Sequence, residues 1–258
     1  MRTALITGAS GGIGYELAKL CAKDGYRIAL VARNAEQLSA VAAELRAAGA
    51  PETLVLAKDL TAPHAAREIV ADLDARGVTV DILINNAGFG LLGKFHELEA
   101  DAQLNMIALN VSALTELARL AVEGMLARKS GRILNVASTA AFQPGPLMAV
   151  YYATKAYVLS FSEALAEELR SSGVTVTCLC PGATRTEFQT RASLAGTRLF
   201  NSRTVMDAAT VAHMGYSAMN KGKPLVIAGL FNTALAFSIR LSPRSIVPKI
   251  TRALHQGA

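Results

Sequence analysis

The sequence predicts an α/β fold in which a parallel β-sheet is covered by helices on both faces. Short apolar runs rich in Val, Ile and Leu alternate with longer segments of helical periodicity. Strands that are apolar throughout, rather than at every second position, are typical of parallel sheets buried on both faces. With 258 residues, 52% of them hydrophobic, the chain is long enough for one domain with a full core.

The elements follow from these patterns in chain order. Strands are predicted at residues 3–7, 27–32, 53–57, 81–84, 132–137, 174–180 and 225–227, and helices at 13–23, 35–48, 65–76, 100–128, 150–171 and 208–220. Gly25 and Gly49 end the first two helices, and Asp207 caps the last one. Residues 183–205 are polar with weak periodicity, which predicts a loop or lid.

Composition excludes several classes of protein. The net charge is +6, but the basic residues are scattered, Trp is absent and aromatic residues make up only 5%, which argues against nucleic-acid binding. Three cysteines give no disulfide framework, and four dispersed histidines indicate no metal site. With neither a signal peptide nor an apolar stretch of about 18 residues, we expect a cytoplasmic protein.

A glycine-rich loop separates the first strand from the first helix. Residues 7–14 read Thr-Gly-Ala-Ser-Gly-Gly-Ile-Gly. Glycines at such a junction let backbone approach a pyrophosphate, and the helix N-terminus then offers free amides and a positive dipole end to the anion. The spacing differs from G-x-G-x-x-G and lacks the lysine of a P-loop, so a simple tight turn is the alternative.

The end of the second strand indicates which dinucleotide binds. An NAD site usually carries an acid about 20 residues after the glycine loop, to bond the ribose 2′-hydroxyl. This strand ends in Ala32-Arg33-Asn34, with no acid. A guanidinium at that point suits a 2′-phosphate, so Arg33 favours NADP(H) over NAD(H), although an ordinary surface arginine is the alternative.

A candidate acid/base pair lies near the start of the helix at 150–171. Tyr151 and Lys155 are four residues apart and share one face. A nearby ammonium lowers the pKa of a phenol, which lets the phenol exchange a proton with a carbonyl or alcohol. Tyr152 is a rival that helical spacing alone does not exclude. Ser138 follows the fifth strand, where ligands bind in open α/β sheets.

Several motifs then coincide in order and spacing. They are Thr7-Gly8-x-x-x-Gly12-x-Gly14, Asp59-Leu60, Asn85-Asn86-Ala87-Gly88, Asn110, Ser138, Tyr151-x-x-x-Lys155 and Pro181-Gly182-x-x-x-Thr186. Each motif is weak alone, but over residues 2–229 the chain resembles the short-chain dehydrogenase/reductase family. The resemblance implies a Rossmann-type doubly wound parallel sheet of seven strands in the order 3-2-1-4-5-6-7. It also implies an oxidoreductase that transfers a hydride between NADP(H) and a carbonyl or alcohol substrate.

The resemblance assigns the catalytic roles. It selects Tyr151 over Tyr152 as the general acid/base, with Ser138 orienting and polarising the substrate carbonyl. Lys155 is expected to hold the nicotinamide ribose and to lower the pKa of Tyr151. Asn110 is expected to keep a water molecule beside Lys155 for a proton relay. Asparagine is a poor helix former, and its place within a predicted helix supports a functional role.

The resemblance also implies the cofactor-binding set. Asp59 is expected to contact the adenine, and Thr186 the nicotinamide carboxamide, while Asn86 and Gly88 line the cleft. A purely structural role for Asp59 and Asn86, tying loops together, stays open. The expected cofactor-binding residues are Gly8, Ser10, Gly12, Ile13, Gly14, Arg33, Asp59, Leu60, Asn86, Ala87, Gly88, Tyr151, Lys155, Pro181, Gly182, Thr184 and Thr186.

The loops expected to border the substrate are apolar and predict a lipophilic carbonyl compound, although pockets are usually apolar whatever they bind. These residues are Phe89, Leu91, Leu92, Phe95, Phe142, Leu147, Met148, Phe188, Leu199 and Phe200. A catalytically silent sensor or structural protein that binds NADP(H) is the main alternative, and an isomerase or dehydratase with the same Tyr–Lys pair is another.

The C-terminal segment departs from the family pattern. Residues 1–229 are expected to form the dinucleotide-binding and catalytic domain, and residues 230–258 an apolar and basic tail. Family members are usually dimers or tetramers, so a homodimer or homotetramer is expected. The tail is expected to cover the substrate pocket, to pack on a neighbouring subunit, which we favour, or to lie on an anionic membrane surface.

Overall fold

A computed structural model describes residues 1–192, 194, 197–198 and 205–256. Its strands are β1 (Thr3–Thr7), β2 (Arg27–Ala32), β3 (Thr53–Ala57), β4 (Ile82–Asn85), β5 (Gly131–Val136), β6 (Val174–Cys180), β7 (Thr184–Arg185), β8 (Met206–Asp207) and β9 (Leu225–Ile227). Its helices are α1 (Gly12–Lys23), α2 (Ala35–Ala47), α3 (Ala65–Ala75), α4 (Ala100–Ile107), α5 (Leu114–Ala127), α6 (Ala149–Glu168), α7 (Glu187–Arg191), α8 (Ala208–Asn220), α9 (Leu230–Leu241) and α10 (Val247–His255).

Seven strands form one parallel sheet in the order β3-β2-β1-β4-β5-β6-β9. This confirms the predicted order, because β9 is the seventh strand of the prediction. Successive side chains of β1 enter opposite cores. Leu5 packs in the layer that contains α3 and α5, while Ile6 packs in the layer that contains α1 and α8. Both faces are therefore buried, which explains why these strands are apolar throughout.

Two regions differ from the prediction. The single helix expected at 100–128 is divided into α4 and α5 by a π-helical turn at Ala108–Ala113. The segment expected to be a loop at 183–205 contains the strand β7, which pairs in parallel with β8 directly after the segment, and the short helix α7. Polar sequence hides α7, which begins because the Thr186 hydroxyl accepts a hydrogen bond from the Phe188 amide (3.2 Å).

The C-terminal residues form two helices after β9. Helix α9 packs against β9 and against a 3₁₀ turn at Thr139–Phe142. Helix α10 buries Val247, Thr251 and His255, which lie four residues apart along one face. Among the described residues, no helix is both long enough and apolar enough to cross a membrane.

Candidate active site

The loops that carry the predicted site residues meet at one edge of the sheet. Each follows the carboxyl end of a parallel strand, from β1 to β6. Strands β1 and β4 are neighbours, although β2 and β3 lie between them in sequence and extend to the other side. This reversal of strand order opens a crevice, and ligands of open α/β sheets bind there.

The glycine loop closes tightly against the loop after β4. Gly8 and Gly12 have φ angles of +64° and +56°, which side-chain-bearing residues rarely adopt. A Cβ atom on Gly14 would lie 2.4 Å from the Gly8 carbonyl oxygen. Gly11 precedes α1 and has no side chain to cap it, so it leaves the first amides of the helix available to an anion. Ile13 packs its side chain against the core.

Asn86 ties this loop in place. Its amide Nδ2 donates to the carbonyl oxygens of Thr7 (2.9 Å) and Gly8 (3.1 Å). In return, the buried Thr7 hydroxyl accepts hydrogen bonds from the backbone amides of Asn86 and Ala87, each at 3.0 Å. The Asn86 side chain therefore makes the loop-tying contacts of its alternative, structural role, and its contact with a cofactor stays a prediction.

The end of β2 lies beside the glycine loop. The Gln37 side chain donates to the Ser10 carbonyl oxygen (2.9 Å), which joins the start of α2 to the loop. Asn34 caps the same helix by accepting from the Gln37 amide (3.0 Å). Arg33 directly precedes Asn34, and its side chain is exposed. The charge of Arg33 is therefore placed beside the mouth of the crevice.

Asp59 is held in a turn after β3. Its Oδ1 accepts from the Thr61 amide (2.9 Å) and hydroxyl (2.8 Å). Partial burial raises the pKa of Asp59, but these hydrogen bonds and the positive charge of Arg33 outweigh that effect and lower the pKa below its usual value. Asp59 therefore stays ionised near Arg33, while Leu60 is buried in the core.

The loop after β6 covers the glycine loop from the other side. The Thr186 side chain would lie 3.1 Å from a Cβ atom on Gly12, so the two segments are in close contact. Pro181 accepts a backbone hydrogen bond from Thr139 (2.8 Å), and the buried Thr184 hydroxyl donates to the Gly182 carbonyl oxygen (3.0 Å). These bonds fix the loop across the crevice.

Asn110 lies in the π-helical turn and is almost fully buried. Its Oδ1 accepts from the Phe89 amide (3.1 Å), and its Nδ2 donates to the Phe89 carbonyl oxygen (3.0 Å) and the Thr154 hydroxyl (3.1 Å). Irregular helical turns of this type occur frequently at functional sites. Here the turn brings Asn110 against the loop after β4, where a Cβ atom on Gly88 would lie 3.0 Å from its Oδ1 and 3.5 Å from Lys155 Nζ.

Tyr151, Lys155 and Ser138 lie together. Lys155 is buried, donates to the Val136 carbonyl oxygen (2.8 Å) and places its Nζ 5.8 Å from the centre of the Tyr151 ring. The Ser138 hydroxyl accepts from the Ala140 amide (3.1 Å) at the start of the 3₁₀ turn. Residues from α6 and from the end of β5 thus lie together in the crevice.

Burial dominates the protonation of this group. It raises the pKa of Tyr151 to about 12, and the neighbouring Ser138 hydroxyl offsets part of that rise. Burial also lowers the pKa of Lys155 to about 8. At neutral pH, Tyr151 is therefore a phenol and Lys155 is mostly an ammonium ion. The lowering of the Tyr151 pKa that we expected from Lys155 stays a prediction.

An apolar cavity of about 310 Å³ opens beside Tyr151. Four of the predicted substrate-facing residues line it: Leu91, Phe95, Leu147 and Met148. Phe89, Leu92 and Phe188 pack behind it around Tyr151 and Met148. Phe142 packs in a different cluster, and Leu199 and Phe200 lie outside the described residues.

Two contributions from α10 were not predicted from the sequence. Arg252 lines the cavity, and His255 is buried against the residue next to Tyr151. His255 Nε2 lies 2.8 Å from the Tyr152 hydroxyl, and its Nδ1 lies 2.8 Å from the Pro146 carbonyl oxygen. Because that carbonyl only accepts, Nδ1 carries the proton, and neutral His255 accepts from Tyr152. The Tyr152 hydroxyl therefore has a structural partner.

The fold and the crevice define a nucleotide-binding protein of the Rossmann type. The family model described as short chain dehydrogenase matches residues 2–195. The chain belongs to the short-chain dehydrogenase/reductase family of oxidoreductases.

Two solved structures resemble this chain along nearly its whole length. A short-chain dehydrogenase from Sphingobium yanoikuyae, in complex with NADPH, is 34% identical with a TM-score of 0.84, over 100% of this chain and 99% of that one. The bulky-bulky ketone specific alcohol dehydrogenase from Comamonas testosteroni is 29% identical with a TM-score of 0.78, over 95% and 96% of the two chains.

A curated relative is similar over a shorter region. The very-long-chain 3-oxoacyl-CoA reductase of Bos taurus is 34% identical over 182 residues, which are 69% of this chain and 58% of the relative. The chain therefore spans less than two thirds of that relative's length.

Proposed function

We propose that this protein transfers a hydride between NADP(H) and a lipophilic carbonyl compound or secondary alcohol, with a Ser-Tyr-Lys mechanism. The observation that carries the proposal is the placement of Tyr151. Tyr151 lines the apolar cavity, and its neighbours are Ser138 and the buried Lys155. A proton donor, a polar partner and a space for an apolar substrate thus meet at the carboxyl ends of the strands.

The residues of the crevice fit a dinucleotide. The cradle formed by Gly8, Gly12 and Gly14 has no space for side chains, and α1 begins there with an uncapped N-terminus that suits a pyrophosphate. Exposed Arg33, with no acid at the end of β2, suits a 2′-phosphate and supports NADP(H) over NAD(H). A bound NADP(H) supplies or accepts the hydride.

The remaining assigned residues would border that ligand. Asp59 and Leu60 would lie near the adenine, and the segment Asn86–Gly88 would line the centre of the cleft. Thr186 would lie near the nicotinamide, since its side chain already covers the glycine loop. Lys155 would hold the nicotinamide ribose.

Tyr151 acts as the acid in the direction of reduction. Because burial raises its pKa to about 12, it is protonated at neutral pH and has a proton to give. As hydride reaches the carbonyl carbon, the carbonyl oxygen becomes basic and takes the phenolic proton, while the Ser138 hydroxyl donates a hydrogen bond to the same oxygen. The Lys155 ammonium nearby stabilises the phenolate that remains.

Asn110 serves the same proton relay in this proposal. The π-helical turn sets its side chain against the Phe89 backbone, and both Asn110 and Lys155 border Gly88, where a water molecule beside Lys155 would return a proton to Tyr151. The carboxamide already uses both Nδ2 hydrogens in bonds to Phe89 and Thr154. Asn110 therefore also fixes the loop that borders the cavity.

The cavity supports a lipophilic substrate. Its walls come mainly from Leu, Met, Phe, Pro and Val side chains, and only a few polar groups enter it. The bovine relative is named for a 3-oxoacyl-CoA and the Comamonas enzyme for bulky ketones, and both names fit a carbonyl group with apolar substituents.

We further propose that the protein is a cytoplasmic homodimer or homotetramer. Exposed apolar side chains on α4, α5 and α6 support a contact between copies through these helices. They are Leu104, Ile107, Leu126 and Tyr157. Light scattering on the purified protein, with Leu104→Ser as the variant, measures the subunit count; a monomer at micromolar concentration would contradict this assignment.

The test of the reaction is a matched assay of cofactor and product. Purified protein is mixed with NADPH or NADH and with bulky apolar and small polar ketones, and loss of reduced-nicotinamide absorbance is compared with the alcohol formed. We expect one alcohol per NADPH, faster with apolar ketones and slower with NADH. NADPH binding without turnover of any ketone or alcohol would indicate a sensor. Product formed without NADPH consumption would indicate an isomerase or dehydratase.

A further inference from the structure

The positive charge of this protein is concentrated at its C-terminal end. Residues 208–258 contain six of the 26 Lys and Arg residues and none of the 20 Asp and Glu residues. The formal net charge of +6 is therefore carried by these 51 residues, and residues 1–207 are neutral overall. The basic residues are spread along the whole chain, but the acidic residues end at Asp207, so the C-terminal segment has a net positive charge that favours an anionic partner.

Helix α9 in this region exposes an apolar face. Projected at 100° per residue, the exposed positions among the α9 side chains that the structure describes form one continuous arc, and Ser238 is the one polar residue among them. The arc contains Leu230, Phe231, Ala234, Leu235, Phe237, Ser238 and Leu241. Leu230 is 91% exposed, Leu241 90% and Phe231 62%. Burying side chains of this size is favourable, so leaving so many in water on one helix indicates a contact surface.

The opposite side of α9 is fixed to the fold. Ala236 is buried, and the Asn232 side chain donates to the Ala228 carbonyl oxygen (2.6 Å). A Cβ atom on Gly182 would lie 2.4 Å from Asn232 Nδ2, so the helix lies directly on the loop after β6. The apolar arc is therefore held facing outward.

Basic and apolar side chains continue together after α9. Arg244 and Lys249 are exposed, and Ile246 and Ile250 beside them are 46% and 57% exposed. Helix α10 is held by the buried contacts of His255 with Tyr152 and Pro146. We call the exposed residues of α9 together with Arg244, Ile246, Lys249 and Ile250 the C-terminal face.

We propose that the C-terminal face binds an anionic lipid bilayer surface. Amphipathic helices with Leu and Phe on one side and nearby Lys and Arg bind in the interfacial layer, where apolar side chains enter the acyl boundary and basic ones meet acidic headgroups. The charge decides between a bilayer and a second copy. A two-fold contact would set this face against itself and bring two positively charged surfaces together, whereas an anionic bilayer complements both its apolar and its basic parts.

The face also adjoins the cavity. Arg252, which lines the cavity beside Tyr151, comes from the same helix α10 as Lys249 and Ile250. A bilayer bound at the C-terminal face would therefore lie near the cavity. The binding itself does not depend on the proposed reaction and is measured separately from it.

Co-sedimentation of the full chain with vesicles tests the proposal. Vesicles of phosphatidylcholine alone are compared with vesicles containing phosphatidylglycerol, at low and high salt. We expect binding to the anionic vesicles, with each basic residue at the surface contributing about fivefold. Raising the salt should weaken binding, because it screens the headgroup charge.

Three variants separate the contributions. Arg244→Glu with Lys249→Glu, and Leu230→Ser with Phe231→Ser, should each reduce binding at least about tenfold. Arg76→Glu with Arg170→Glu, at exposed basic positions outside the C-terminal face, is the matched control for charge and should bind as the wild type does. Thermal unfolding and NADPH-dependent activity verify that each variant is folded.

Two results would overturn the proposal. One is the absence of binding to anionic vesicles by folded wild-type protein. The other is a dimer, detected by light scattering without lipid, that dissociates in Leu230→Ser with Phe231→Ser while vesicle binding is unaffected by either pair of substitutions.

Discussion

Replacing Gly14 by alanine tests how the glycine loop is built. The new methyl group would lie 2.4 Å from both the Gly8 carbonyl oxygen and Asn86 Nδ2, which is closer than atoms can approach. To relieve the contact, the loop after β1 and the loop after β4 must separate. That movement breaks the hydrogen bonds from Asn86 to Thr7 and Gly8.

The cost follows from these contacts. Forcing an extra carbon into a packed site costs about 1–3 kcal/mol. Losing the two hydrogen bonds adds about 0.5–1.5 kcal/mol each. Alanine recovers up to about 1 kcal/mol, because it favours helix more than glycine does. The expected net loss of unfolding free energy is about 3 kcal/mol, which for a protein of this size lowers Tm by about 6–12 °C.

Gly11→Ala is the matched control. A Cβ atom at Gly11 meets nothing within 4 Å, and its φ of −178° is extended backbone open to any residue. We expect its stability to change by less than about 0.5 kcal/mol. Thermal unfolding with and without NADPH measures both effects, because a ligand that binds the folded protein raises Tm according to its Kd. Equal Tm values and equal NADPH shifts for Gly14→Ala and Gly11→Ala would refute this description of the loop.

Three further predictions concern Arg33, Asn110 and His255. Arg33→Ala should raise the Kd for NADPH about 10–100-fold through loss of charged hydrogen bonds and change that for NADH little; equal effects on both in fluorescence titrations would contradict its assignment to the 2′-phosphate. Asn110→Leu should lower the unfolding free energy by about 1–3 kcal/mol, because it leaves the Phe89 amide and carbonyl without their partner; a Tm equal to that of the wild type would contradict this. Burial lowers the pKa of His255, so its neutral form stabilises the fold fully above its ordinary pKa of 6.5, and this contribution is lost as pH falls below that value. Protection factors of the α10 amides, which correct exchange for its intrinsic pH dependence, should therefore fall between pH 8 and pH 5.5 in the wild type but much less in His255→Gln, and protection factors that do not change with pH in the wild type would count against the contact.

Much of the fold follows from the sequence because the central strands are buried on both faces. The bounds of β1, β2, β3, β6 and β9 agree with the prediction. A strand buried on both faces is a continuous apolar run, and the polar residues at each end of the run mark where the strand begins and ends. The crevice follows as well, since parallel strands place their carboxyl ends at one edge.

Other features depend on contacts between distant residues. The π-helical turn around Asn110 adds one residue to a helical turn, which periodicity over a long window does not register. Helical spacing allowed both Tyr151 and Tyr152 beside Lys155, and distant residues distinguish them: Tyr151 lies beside Ser138 and the cavity, whereas the Tyr152 hydroxyl bonds to His255, 103 residues further along the chain. The packing of α10 and the approach of Arg252 to the cavity likewise have no local sequence signal.

The proposed reaction requires Tyr151 to donate the proton, and the neighbouring Tyr152 supplies the control. NADPH oxidation with a bulky apolar ketone is measured for the wild type, Tyr151→Phe and Tyr152→Phe, together with the Kd for NADPH of each protein. We expect Tyr151→Phe to bind NADPH and to lose activity by about 10²–10⁴-fold, while Tyr152→Phe loses its bond to His255 but stays active. Full activity in Tyr151→Phe, or loss of activity only in Tyr152→Phe, would contradict the account.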